Sequence, residues 1–180
     1  MLTPFQQQVV SIGLLGLGVY FLVQLARGTA GYLRFRRVWP TAVLTWPAPK
    51  PAQLPLLLAM GVAGAITAGV NAFTHRPPHH VVSLALMALY FLGLVPLALR
   101  IRLGLYRDGV WAHRGFLHWS EVARIAYVEG PQIVLLLQPR AGGASFKLPV
   151  PGEDYGAVRK LIEEKARAGL LQLDPAILGL

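Results

Sequence analysis

The chain contains no cysteine, which excludes disulfides, thiolate nucleophiles and cysteine-ligated metals. Acidic residues are also missing from its first 107 positions, although nine arginines and lysines stand there. Charged residues of either sign make up only 14% of the whole, whereas a soluble domain carries about a quarter. Residues 108–180 hold eight basic and eight acidic side chains. The pI near 10.5 is therefore a property of the first half alone. With no basic excess in the second half, nucleic acid is not an expected partner.

In place of charge, the first half has three apolar runs, Val9–Ala26, Leu54–Phe73 and Val81–Leu99. As helices each would extend roughly 27–30 Å, close to the hydrocarbon thickness of a bilayer. A mean hydropathy of +0.51 and a hydrophobic fraction of 54% agree. The first run lacks a basic n-region and is followed by arginines rather than a small-residue cleavage site, so it is expected to be a retained span. No run carries Asp, Glu, Lys or Arg in its middle, which argues against transport, a function that usually needs an intramembrane ionisable group.

Basic residues cluster after the first run (Arg27, Arg34, Arg36, Arg37, Lys50) and after the third (Arg100, Arg102, Arg107), with only Arg76 between the second and third. The positive-inside bias then predicts an outside amino terminus and a cytoplasmic segment 100–180. Within the first cluster, Arg34, Phe35, Arg36, Arg37 and Trp39 form an interleaved cationic and aromatic set. Such a set suits a headgroup interface, as a helix anchor or as a site for anionic lipid. Trp46–Pro51 holds three prolines and is expected to be a stiff, extended connector. In the second run, Gly61, Ala65 and Gly69 recur every four residues with Gly64 and Ala68 beside them, a small-residue stripe for close helix packing. Pro96 is expected to bend the third run. His75, His79 and His80 crowd the segment Thr74–His80 and are candidate ligands for Zn²⁺ or Cu²⁺, though no carboxylate stands nearby. The alternative is a polar hairpin tip.

From Ile101 the apolar period changes to two. Strands are expected over 101–105, 110–119 with a kink or bulge at Gly115, 124–129, 132–138 and 145–150, with turns at Asp108–Gly109 and Gly130–Pro131. A helix follows, with apolar positions Tyr155, Val158, Leu161, Ile162 and Ala166, and a stop at Gly169. His118, Ser120 and Glu121 include the residue types of a hydrolase triad, but no nucleophile elbow accompanies them, and capping of a turn is the expected role. Ile133–Leu137 is apolar on both faces. Val134 and Leu136 therefore need cover from the tail 170–180, from a protein partner or from the bilayer surface.

Tyr106-Arg107-Asp108-Gly109-Val110, then Arg114-Gly115-Phe116, then Trp119-Ser120-Glu121-Val122 with Ile125 behind it, resembles the bacterial PH-like membrane proteins, the YcxB-like and related families. The resemblance covers roughly residues 100–168. It implies a membrane-tethered module with a binding or assembly role, frequent self-association, no catalysis and no cofactor, in a bacterial cytoplasmic membrane. The expected fold is thus an α+β membrane protein. Three transmembrane helices in residues 1–100 precede a small antiparallel PH-like sheet or partial barrel of about five strands with a C-terminal helix in 101–180. The expected role is non-enzymatic. The cytoplasmic module would self-associate or dock onto a membrane protein complex, the alternative being an anionic-lipid sensor. Membrane lipids and a membrane protein partner or a second copy are the expected partners.

Overall fold

The computed structural model describes residues 3–128, 133–169 and 172–173. The chain is α+β and forms two compact units, each built from two separate stretches of sequence. One comprises the residues up to Leu33 together with Pro49–Ile101, and the other comprises Arg34–Ala48 with Arg102–Leu180. The boundary therefore does not fall at 100/101 alone, because the segment 34–48 clusters with the second half of the chain.

The first unit is helical, and among the described residues three helices are long and apolar enough to cross a membrane. Helix α1 (Pro4–Val38) starts from a capping box: the Thr3 N–H donates to Gln6 Oε1 at 2.9 Å and the Gln6 N–H to Thr3 Oγ1 at 3.3 Å, with Pro4 in the first turn. It runs well past Ala26, because nothing between Ala26 and Val38 breaks a helix. It stops where Pro40 restricts Trp39, and the Thr41 hydroxyl donates to the Val38 carbonyl at 2.8 Å. Helix α2 (Leu54–Phe73) has the bounds expected from its apolar run.

The third span begins three residues early, at Pro78, and is not uniform. Helix α3 (Pro78–Leu89) passes into a π-helical turn over Tyr90–Leu94 and then into α4 (Val95–Ala98). Pro96 has no N–H to give the Leu92 carbonyl and its ring crowds that group. The backbone responds by widening, with the Val95 N–H reaching the Tyr90 carbonyl. The bend expected at Pro96 is thus taken up one turn earlier.

Small residues set the helix contacts. On α2, Gly61 of the expected stripe is buried together with Gly64 and Ala68 beside it, whereas Ala65 and Gly69 are not. Gly61 lies against Phe91 and Leu92, and Gly64 against Met87, while Ala65 is exposed and nothing comes within 4 Å of where a Gly69 side chain would start. The packed face follows the three- and four-residue spacing of one helix side, which a strict four-residue stripe drifts away from. On α1, Gly18 meets buried Ser83, and Phe21 packs edge-on against Phe91 with ring centroids 5.5 Å apart. Most other large apolar side chains of the three helices (Ile12, Val19, Leu22, Leu56, Ile66, Phe73) are exposed, as lipid contact demands.

The second unit holds two four-stranded sheets. The first is antiparallel in the order β1 (Ala42–Pro47), β2 (Arg102–Tyr106), β3 (Gly109–Ala112), β4 (Gly115–His118). In the second, β5 (Val122–Val128), β6 (Ile133–Pro139) and β7 (Phe146–Val150) pair antiparallel, and β8 (Gln172–Leu173) adds in parallel to the free edge of β5. Helix α5 (Tyr155–Arg167) closes the unit, with Val158 and Ile162 buried. Gly169 ends the helical stretch in the left-handed region at φ +72°.

Three expectations need correction here. Trp46–Pro51 is not merely a connector, because its first two residues end β1, an edge strand on β2, and Pro47 sits at the strand's end, where no ladder donor is required. The stretch 110–119 is two strands, since the chain reverses at His113–Arg114 and Gly115 opens β4 at φ +119°. Gly109 is not a positive-φ turn residue. It is the first residue of β3 and pairs with Tyr106, and its lack of a side chain lets the Leu117 carbonyl pass close by. The chain therefore has eight strands rather than about five among the described residues. Gly130–Pro131 and most of the tail lie outside those residues.

The two sheets enclose one apolar core. Leu105, Tyr106 and Val110 come from the first, Ile125, Leu135, Leu137 and Leu148 from the second, and all are essentially inaccessible. Trp119, in a 3₁₀ turn over Trp119–Glu121 between the sheets, is buried, and its Nε1–H lies 3.1 Å from both the Tyr106 and Arg107 carbonyls. Trp46 ties β1 to β7 by donating its Nε1–H to the Pro149 carbonyl at 2.8 Å. Tyr106 donates its hydroxyl to the Arg102 carbonyl at 3.0 Å. Burial pushes the Tyr106 phenol up to about 12, with Arg102 drawing it partly back. Tyr127, whose ring meets Tyr155 of α5 edge-on at 5.8 Å, is likewise raised by burial to about 12.

Candidate functional site

Arg34, Phe35, Arg36, Arg37 and Trp39, expected together at a headgroup interface, take different environments because they lie on the last turns of α1 and just beyond it. Phe35 points inward at 5% exposure, edge-on to Trp111 at 5.3 Å and 5.5 Å from the Trp39 ring. It is a packing residue of the sheet unit and not a lipid-facing ring. Trp39 is exposed, with the Arg102 guanidinium carbon 5.8 Å from its ring centroid, within cation–π range. The three arginines are exposed and separate into two directions. Arg34 and Arg37, one helical turn apart, share a face, and Arg36 lies off it.

That shared face opens on a cleft of about 360 Å³ lined by Arg34, Arg37, Val38, Trp111, Phe116, His118 and Glu121. Its aromatic lining is continuous. Phe116 stands 5.8 Å from Trp111 and meets the His118 ring edge-on at 4.8 Å. Glu121, the only carboxylate in the lining, accepts a hydrogen bond from the His118 backbone N–H at 3.1 Å through Oε2. This is the turn-capping role expected for the His118–Glu121 segment. Among the described residues, neither Arg34 nor Arg37 has a hydrogen bond or ion pair, and the one salt bridge there is Arg159–Glu163 at 2.8 Å. Nothing in the strand pattern of 110–118 signalled that Trp111, Phe116 and His118 would face the end of α1.

A second surface belongs to the sheet β5–β6–β7. Residues Ile125, Tyr127, Leu135 and Leu137 alternate inward. Opposite them, Ala126, Val134, Leu136 and Pro149 are half-buried on the outer face and Val128 is 46% exposed. Arg124, Gln138 and Lys147 border this apolar strip. Val134 and Leu136 thus lack full cover among the described residues. What the structure describes of the tail pairs along the β5 edge rather than lying across the strip.

The three histidines do not converge. His75 occupies a left-handed turn position at φ 53°, whereas His79 and His80 are on the first turn of α3, their rings 4.6 Å apart and edge to face. A nitrogen of the His80 ring, Nε2, is 3.0 Å from Ser11 Oγ. Among the described residues no three His, Asp or Glu side chains are grouped to hold a metal ion. The helix start at Pro78 is the reason, since it carries His79 and His80 away from the turn that holds His75. No protein-family model matches the chain, and no curated protein or solved structure matches it.

Proposed function

We propose that this protein is a non-enzymatic membrane-anchored docking module whose sheet unit binds a protein partner, a second copy of the chain in the first instance, through the outer face of β5–β7. One observation carries this. The strip Ala126, Val128, Val134 and Leu136 remains accessible although β6 is apolar on both faces. A one-sided antiparallel sheet normally alternates apolar with polar positions, so an accessible apolar outer face is complementary to another protein surface. Seven antiparallel strands in two sheets, followed by α5, support a PH-like reading of the unit.

Connectivity supports a membrane topology for this reading. Strands β1 and β2 are paired, yet α2 and the third span lie between them in sequence. A bilayer cannot pass through a hydrogen-bonded sheet, so residues 42–47 and 102–106 share one side, and the two intervening helices cross as a hairpin. The arginine-rich flanks make that side the cytoplasmic one, with the amino terminus outside.

The full chain in mild detergent should run as a discrete assembly larger than one protomer by light scattering. Val128→Asp combined with Leu136→Asp should disperse it, because two like charges on one strip stay unpaired in the interface, and burying an unpaired charge costs several kcal/mol. A strictly monomeric wild-type protein with nothing co-purifying would overturn the assignment.

A further inference from the structure

We propose that the cleft between the last turns of α1 and the β3–β4 hairpin binds a phosphate-bearing anion, clasped by Arg34 and Arg37 with its organic part against Trp111 and Phe116. This site is independent of the docking face on β5–β7, and either can fail without the other.

Charge placement is the first argument. Arg34 and Arg37 are like charges one helical turn apart, an arrangement that is mildly destabilising when it stands alone. The negative end of the α1 dipole favours basic residues in this turn but does not select the face they take. Arg36 satisfies that preference while lying off the cleft, whereas Arg34 and Arg37 both line it. No acidic side chain precedes Asp108 in the sequence to serve as a counterion. Glu121 is the one carboxylate in the lining, and it is already engaged by the His118 backbone.

Geometry and chemistry agree. Guanidinium groups present planar forks of N–H donors that match phosphate oxygens two at a time, which a lysine pair would not do. His118 adds an imidazole to the same lining. Trp111 and Phe116 supply flat apolar surface against which the organic part of such a ligand can rest. A cleft of about 360 Å³ falls within the range of roughly 300–1,000 Å³ typical of small-molecule sites.

The ligand class is therefore a phosphate mono- or diester of net negative charge, since two arginines repel the ammonium of a zwitterionic headgroup, and two sources share that chemistry: a soluble phosphorylated small molecule and the headgroup of an anionic phospholipid. Arg34 follows directly on Leu33, the last α1 residue assigned to the membrane-helix unit.

Tryptophan fluorescence of the full chain in a neutral detergent provides the test, since Trp111 lines the cleft. The probes are glycerol phosphate and short-chain phosphatidylglycerol, with short-chain phosphatidylcholine as the zwitterionic reference. A saturable response to at least one anionic probe and none to phosphatidylcholine is expected. Saturation by glycerol phosphate identifies a soluble ester as sufficient, and saturation by phosphatidylglycerol alone identifies a headgroup. Arg34→Gln/Arg37→Gln should weaken binding about tenfold or more, given the worth of hydrogen bonds to charged groups. Arg34→Lys/Arg37→Lys should fall between that variant and wild type. Arg36→Gln, with equal exposure but no place in the cleft, should bind within about twofold of wild type. Absence of saturation with either anionic probe would overturn the proposal. So would an Arg36→Gln loss as large as that of the Arg34/Arg37 variant.

Discussion

Replacing Gly104 with alanine tests whether β1 is an integral strand of the sheet unit. Gly104 lies in β2 opposite Thr45 of β1, at φ +142°, where side-chain-bearing residues rarely settle. An added Cβ would overlap the Leu44 carbonyl oxygen and stand 2.7 Å from the Thr45 Cα. Both obstacles are backbone atoms, so no rotamer change relieves them. Register cannot slide either, because Trp46 is held through its bond to the Pro149 carbonyl. Backbone strain in this region costs about 1–3 kcal/mol, and an overpacked methyl costs about 1–3 kcal/mol more. The expected loss is thus about 2–6 kcal/mol. A unit of this size shifts its Tm by roughly 4–8 °C per kcal/mol, so a thermal melt followed by tryptophan fluorescence should drop by about 10 °C or more. Gly115→Ala is the matched control, as its φ is +119° but nothing lies within 4 Å of the new methyl. That variant should show the strain alone. If the two melt at the same temperature, β1 does not press on β2 at Gly104 and the pairing argument is wrong.

Two further outcomes follow from the structure. Gly18→Ala would bring a methyl within 2.5 Å of Ser83 Oγ and 3.2 Å of its Cβ, forcing α1 from α3. It should lower thermal stability in detergent by about 1–3 kcal/mol, whereas Gly13→Ala, with open space around it, should not. Equal melts for the two would remove that helix contact. Alkaline pH should act through Tyr106 and Tyr127, whose phenols are raised by burial from 10 to about 12. The folded chain holds these protons more tightly than the unfolded one, so their stabilisation is complete below pH 10 and is lost between 10 and 12. Tyr106 and Tyr127 should therefore resist ionisation in an ultraviolet titration until the unit unfolds, and Tyr106→Phe should remove one of these two late steps. A titration near 10, with the fold intact, that Tyr106→Phe or Tyr127→Phe diminishes would contradict the burial assigned to these rings.

The sequence carried much of this architecture because its signals are local. A continuous apolar run bounded by Gln53 and Thr74 gave α2 its limits, and the period-two pattern from Ile101 found most of the later strands. Failures came where distant residues decide the outcome. Pro47, Pro49 and Pro51 disguised β1 as a connector, and its partner β2 lies beyond two whole helices. The metal expectation at His75, His79 and His80 failed for a nearer reason, since Pro78 starts a helix as readily as it stiffens a loop. At the cleft, Arg34 and Arg37 stood out in the sequence, but their distinction from Arg36 needed α1 to extend to Val38. Trp111, Phe116 and His118 carried no mark of that proximity, because each also satisfies an ordinary strand pattern.

The order of translation gives β1 an unusual history. It leaves the ribosome before the 54 residues from 48 to 101, and only then does β2 arrive. At about 5–20 residues per second, the orphan strand waits roughly 3–10 s while a hairpin is threaded into the bilayer. An unpaired edge of that kind invites adhesion to any neighbouring nascent chain. Pro47, the last residue of that strand, offers no amide hydrogen to such an intruder, so the ring that ends the strand also shortens the edge it exposes during the delay.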